Sequence, residues 1–184
     1  MSTANPLPLL DLDDRTIALL RRFHRPPAPL YRVLAHQPAL LEAWLAFATA
    51  LSNQAETPRS LRELMILRSA QVMNASYQWR DHSEIAQASG LDDASVEALA
   101  EWPTSDQFDG SQRAVLALVD GMLAGHLADS TIRGIAERFP PGEAIELILT
   151  AGFYSMVPRV LDALRLSSDV CVPQPHATTD KKGA

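Results

Sequence analysis

The stretch TPRSLRELMILRSAQVM, residues 57–73, constrains the fold more than any other. Its spacing predicts a helix that is apolar on most faces rather than along one stripe, and such a helix has to be surrounded by other elements. It is therefore read as the central helix of a bundle, with Thr57 as candidate N-cap and Pro58 in the first turn.

The segments around it supply helical partners. DLDDRTIALLRRFH begins with acids and ends with bases, as the helix dipole favours, and RPPAPL stops it. PALLEAWLAFATALSN places Leu40, Leu41, Trp44, Leu45, Ala48 and Leu51 at helical spacing. A helix from about Ser76 to Ala88 follows, with Gly90 as C-cap and DDASVEALA as a fresh amphipathic turn. DGSQRAVLALVDGMLAG puts Val115, Leu118, Val119 and Met122 on one side, DSTIRGIAERFPPG is a short capped helix ended by two prolines, and EAIELILTAGFYSMVPRVLDALRL is a long one interrupted by Pro158. No alternation of period two with hairpin turns competes, so the expected class is all-α, a single-domain helical bundle. Residues 1–37 read as an N-terminal helix and proline-rich connection and 38–166 as the helical domain. Residues 167–184 read as a polar, flexible tail or an arm onto a neighbouring subunit.

Composition narrows the function. The net charge of -6 gives no electrostatic footprint for nucleic acid or an anionic membrane, which leaves small neutral or organic-acid partners. Cys171 is the single cysteine, so a disulfide framework and any CxxC motif are excluded, and a cytoplasmic setting is the default. The first residues show no basic and then apolar signal pattern, and the apolar run 144–164 carries Glu146, Pro158, Arg159 and Asp162, which reads as a buried helix of a soluble protein. The five histidines fall in no ligand spacing, so no metal site is expected. Cys171 and His176 stand in the tail, which cannot hold a reacting group in place.

Two side chains carry the chemistry. Glu63 lies among leucines on the central helix, where a buried carboxylate needs a partner: Arg62, Arg68 or another core arginine. His82 closes the segment NASYQWRDH, sharing a helix face with Ala75 and Gln78, while Tyr77, Trp79 and Arg80 point in other directions. A helical histidine is commonly structural, and Trp79 also reads as core.

The segment from Arg62 to Leu99 together with ELILTAGFYSMVPRVLDALRL resembles the carboxymuconolactone decarboxylase and alkylhydroperoxidase D-like superfamily over about residues 38–166. That family's pattern is a glutamate, eleven residues, a cysteine, two residues, a cysteine, three residues and a histidine. Glu63 and His82 fill its outer positions at the same spacing, but Ala75 and Gln78 stand where the cysteines would be. Thiol peroxidase chemistry needs a sulfur to oxidise and resolve, and neither residue offers one. The resemblance therefore implies the cysteine-free, decarboxylase side: a lyase working without a cofactor on a small lactone or organic acid, with Glu63 and His82 catalytic. Tyr77 and Arg80 would hold a lactone oxygen or carboxylate, and Trp79, Gln78, Tyr154 and Arg159 would complete the substrate site. It also implies a homo-oligomer, a trimer or a hexamer. An antioxidant peroxidase and a non-catalytic binding scaffold are the alternatives.

Overall fold

The computed structural model describes residues 7–166 and 172–174. Among them are nine α-helices and no strand, which makes the protein all-α. In chain order they are α1 (Asp14–Arg22), α2 (Pro29–Leu34), α3 (Pro38–Thr49), α4 (Arg59–Val72), α5 (Ser76–Ala88), α6 (Asp93–Ala98), α7 (Gly110–Leu123), α8 (Asp129–Arg138) and α9 (Pro141–Ala163).

α4 is the axis. Every residue from Leu61 to Leu67 is buried, and α5, α7 and α9 pack around it. Leu64 and Leu67 face one cluster with Trp79, Leu99 and Leu116; Leu61 and Met65 face a second with Val115, Leu118 and Leu147; Ile66 faces a third with Tyr77, Phe153 and Tyr154. Ser69 Oγ donates to the carbonyl of Tyr154 at 2.6 Å and fixes α9 against the axis.

The turn from α4 to α5 sets the geometry of everything that follows. Asn74 takes a left-handed conformation, φ 50°, which asparagine tolerates better than most residues. The Ala75 N–H returns to the Ala70 carbonyl at 2.8 Å, closing α4 and letting α5 run back along it. Gly90, φ 93°, ends α5 in the same way, with the Leu91 N–H on the Ala86 carbonyl at 3.0 Å.

Several boundaries differ from the sequence expectation. RPPAPL does end α1, yet Pro29 also opens α2, because proline at a first helical position gives up only an N–H that would be unpaired anyway. Thr57 is not the cap of α4: Pro58 occupies that position, and the buried Thr57 hydroxyl accepts from Arg62 Nη1 at 3.0 Å. The Glu146 carboxylate of α9 serves this start instead, accepting from the Glu56 N–H at 2.8 Å and the Thr57 N–H at 3.0 Å. α8 has Ala128 before it and no side-chain cap, and α9 begins at Pro141 rather than at Glu143. α9 is long and apolar enough to cross a membrane by composition, but it turns Leu147, Phe153, Tyr154 and Leu161 into the core.

Two described segments outside residues 38–166 also pack on the bundle. Val172 is buried in the first cluster, and the Pro173 carbonyl accepts from Gln71 Nε2 at 2.9 Å, so residues 172–174 dock on the bundle instead of trailing from it. Cys171 and His176 lie outside the described residues. Residues 25–31 are no mere connection, since they form a wall of the cavity described next.

Candidate active site

The α4–α5 hairpin brings Glu63 and His82 together across the 19 positions that separate them in sequence. Glu63 is fully buried, and its Oε2 lies 2.7 Å from His82 Nδ1. A carboxylate there accepts from Nδ1–H, which orients the ring and leaves Nε2 for another partner. The other carboxylate oxygen makes a 2.5 Å ion pair with Arg59 Nη2, one turn earlier on α4. Arg59 is therefore the core partner of Glu63. Arg62 and Arg68 are engaged elsewhere, Arg62 with the Thr57 and Ser52 carbonyls and Arg68 with Asp120.

This chain of charge opens on a cavity of about 520 Å³. α5 lines it with Tyr77, Gln78, Arg80 and His82, and α9 with Phe153 and Tyr154. Trp44 of α3, Arg25 and Tyr31 close it from the N-terminal side. Aromatic rings dominate the wall. The His82 ring meets Tyr154 edge-on at 5.1 Å, Tyr154 meets Phe153 at 5.2 Å, and Phe153 meets Trp44 at 5.0 Å. A concavity that combines apolar faces with fixed polar groups is the usual form of a small-molecule site.

Between α3 and α4 the chain widens into a π-helical turn, Ala50–Gln54. It presents Ser52 to three arginines: the carbonyl accepts from Arg59 Nη1 at 2.5 Å and Arg62 Nη2 at 3.2 Å, and the hydroxyl accepts from Arg25 Nη2 at 3.0 Å. The turn thus holds Arg59 for Glu63 and Arg25 for the cavity.

Burial, and then the Glu63 carboxylate, push the Tyr154 phenol well above its ordinary value. Burial and then Asp81 raise Tyr77, and burial raises Tyr31. All three phenols face the cavity as neutral hydrogen-bond donors at neutral pH. Arg80 lies over the Tyr77 ring at 4.7 Å and pairs with Asp81 at 2.6 Å, a bond that raises its already high affinity for its proton.

Gln78 stands at one of the two cysteine positions of the expected pattern. Its Nε2 donates to the Ile66 carbonyl of α4 at 3.0 Å, while its buried Oε1 has no partner among the described residues. At the other cysteine position, Ala75 contributes no functional group.

Of the residues singled out in the sequence, Glu63, Tyr77, Gln78, Arg80, His82 and Tyr154 meet at or directly behind this cavity. Trp79 does not: it is buried on the opposite side of α5 with Leu64, Leu67 and Leu116. Arg159 is exposed on α9, bonded to the Ser155 carbonyl and 3.8 Å from Met73 Sδ, away from the cavity. Arg25, Tyr31, Trp44, Arg59 and Phe153 are among the lining residues that sequence reasoning missed. Arg59 had a usable signal, since it stands four residues before a carboxylate on one helix.

The sequence profile of the carboxymuconolactone decarboxylase family matches residues 38–121, and this span contains Glu63, Ala75, Gln78 and His82. Residues 38–121 belong to the carboxymuconolactone decarboxylase family. The carboxymuconolactone decarboxylase-family segment thus supplies the α4–α5 hairpin, while Arg25, Tyr31, Phe153 and Tyr154 come from either side of it. No curated protein sequence matches the chain. Among solved structures, a protein of unknown function from Agrobacterium tumefaciens, put forward as the antioxidant defence protein AhpD, superposes with TM-score 0.67 at 18% identity, covering 74% of this chain and 95% of that one. The debrominase Bmp8, in a cysteine-to-alanine form with 2,3,4-tribromopyrrole, superposes with TM-score 0.76 at 18% identity over 91% of this chain and 93% of its own. At such identities these likenesses establish the shared fold, which hosts more than one chemistry.

Proposed function

We propose that this protein is an acid/base lyase of the carboxymuconolactone decarboxylase type, acting without a cofactor on a small cyclic or unsaturated carbonyl compound. The observation that carries the reading is the 2.7 Å bond between buried Glu63 and His82 at the wall of an aromatic cavity, with Ala75 and Gln78 in place of a thiol pair.

The chemistry follows from what the groups can do. When an unsaturated lactone acid loses carbon dioxide, the C–C bond breaks and its electron pair passes into the conjugated carbonyl, so the substrate is its own electron sink. Two things remain for the protein: a donor for the developing oxyanion and an acid to protonate carbon. The neutral Tyr154 phenol is the donor and His82 the acid, regaining its proton from water. Glu63 holds the ring through Nδ1, and Arg59 is bound to its other oxygen. Thiol peroxidase activity, the other chemistry of the superfamily, has no sulfur at either motif position to work with.

The test is turnover of carboxymuconolactone and related unsaturated lactone acids, followed by loss of absorbance and release of carbon dioxide. His82→Asn and Glu63→Gln are expected to abolish both. Undiminished turnover in those variants, or peroxide reduction that disappears in Cys171→Ser, contradicts the reading.

We also propose a cytoplasmic homo-oligomer. Ile145, Leu149 and Met156 expose apolar side chains along the outer face of α9, as do Leu40 and Phe47 on α3, which suits contact with further copies of the chain. Light scattering giving a trimer or hexamer supports this, and a monomer at micromolar concentration refutes it.

A further inference from the structure

We propose that Arg25 is the anion anchor of the cavity, and that the site consequently takes a flat unsaturated or aromatic carboxylate. This rests on the reading of the cavity as a substrate site and adds to it a specificity residue from outside the family segment, which begins at residue 38.

The charges around the cavity are mostly answered. Arg59 is paired with Glu63 and Arg80 with Asp81. Arg25 differs. It lines the cavity, is half-buried, and forms no ion pair among the described residues. Among the described residues its side chain bonds from Nη2 to the Ser52 hydroxyl, a neutral acceptor, and its Nε is buried without a hydrogen-bond partner. A guanidinium carries five N–H donors in a planar fork that suits a carboxylate, and a partly buried, unanswered one is costly until an anion arrives. Glu84, the remaining acid at the cavity, sits exposed on α5.

Position supports the assignment. Ser52 fixes the guanidinium from behind, and the Leu20 carbonyl holds the Arg25 N–H at 2.9 Å, so the side chain is built on an anchored backbone. Its charge opposes the rise that burial imposes on both Tyr31 and Tyr154, and the three residues line the same cavity. Arg25 also borders a second cavity of about 490 Å³, but the acid there, Asp11, is taken by Arg32 at 3.2 Å, and that cavity has no aromatic wall. A ligand held at Arg25 in the first cavity lies with its π-system against Trp44, Phe153 and Tyr154 and its reacting carbon toward His82. Arg80, the residue expected from sequence to hold a carboxylate, is already occupied by Asp81.

Isothermal titration of the full-length protein with trans-cinnamate and with its neutral amide, cinnamamide, tests the assignment. Wild type is expected to prefer the acid, Arg25→Met to lose tenfold or more in affinity for cinnamate with cinnamamide unchanged, and Arg25→Lys to retain part of the preference. Arg25→Gln, which removes the charge but keeps a donor for Ser52, guards against loss of fold. A folded Arg25→Gln that binds cinnamate as wild type does overturns the proposal, as does a wild type that fails to prefer the acid, or loss of the preference in Arg80→Met instead. If His82→Asn and Glu63→Gln keep full turnover while Arg25→Met loses cinnamate, the acid/base reading fails and the anion anchor stands.

Discussion

Two polar networks hang on α4, and their difference separates architecture from chemistry. Around Arg68 the bonds are closed. Its guanidinium grips both oxygens of Asp120, at 2.7 and 2.9 Å, and the Gln71 side chain at 2.7 Å. Trp102 Nε1 caps the same aspartate at 3.0 Å, and Gln71 passes on to Pro173. Around Glu63 the bonds are open: His82 offers Nε2 at a cavity, and among the described residues Gln78 Oε1 is buried without a partner and Arg25 has no acid. A satisfied network rigidifies a core, whereas one that leaves groups unanswered beside an enclosed space keeps them for a ligand.

The sharpest way to break this comparison is to remove one member from each network. His82→Asn, which keeps an N–H donor for Glu63, is expected to cut turnover of a lactone acid by about 10²–10⁴, the usual contribution of a general acid or base, while the melting temperature stays close to wild type. Asp120→Ala should do the reverse, costing about 2–3 kcal/mol in denaturant unfolding as charged hydrogen bonds of Arg68 and Trp102 are lost, with turnover per folded molecule intact. Equal loss of activity in both variants would erase the distinction.

A smaller effect is expected at Tyr154. Phe at this position removes the donor but keeps the ring that meets His82, and a lost hydrogen bond of about 1–1.5 kcal/mol predicts roughly a tenfold slower reaction. Because the phenol is pushed far above neutrality, wild type should show no alkaline limb from Tyr154 across the neutral range in its pH–rate profile.

Smallest of all is Glu146, which joins α9 to the start of α4. Burial alone would raise its carboxyl, but the Glu56 and Thr57 N–H groups outweigh that and hold it below the ordinary 4.5. Its folded value is depressed, so its contribution is full above about 4.5 and is lost as pH falls through the lowered value. Glu146→Gln should flatten acid unfolding in that window by less than about 1 kcal/mol, given its partial exposure, and leave stability near neutral pH little changed in shape.

How much of this was written in the sequence depends on distance along the chain. The apolar faces of α4, the Glu63–His82 spacing and the lack of a thiol pair between them are local or periodic, and they led to the hairpin and to the pairing of Glu63 with His82. The cavity is different. Its walls come from residues 25–31, α3, α5 and α9, and no periodicity says that Arg25 will stand near Tyr154. Trp79 shows the same limit on a smaller scale: it is adjacent to Gln78, yet a step of 100° around the helix turns it into the core. Pro29 misled because a proline that stops one helix can begin the next. The partner of Glu63 is the further arginine that the expectation left unnamed beside Arg62 and Arg68, and Arg59's position four residues before Glu63 places both on one face.

The measurement that reaches the central claim most directly is proton delivery to carbon. In deuterium oxide with an unsaturated lactone acid, wild type and Cys171→Ser should release carbon dioxide and place deuterium on the product carbon at equal rates, and Glu63→Gln and His82→Asn should do neither. Deuterium incorporation at the wild-type rate in His82→Asn, or its loss in Cys171→Ser, would contradict an acid/base site built on Glu63 and His82.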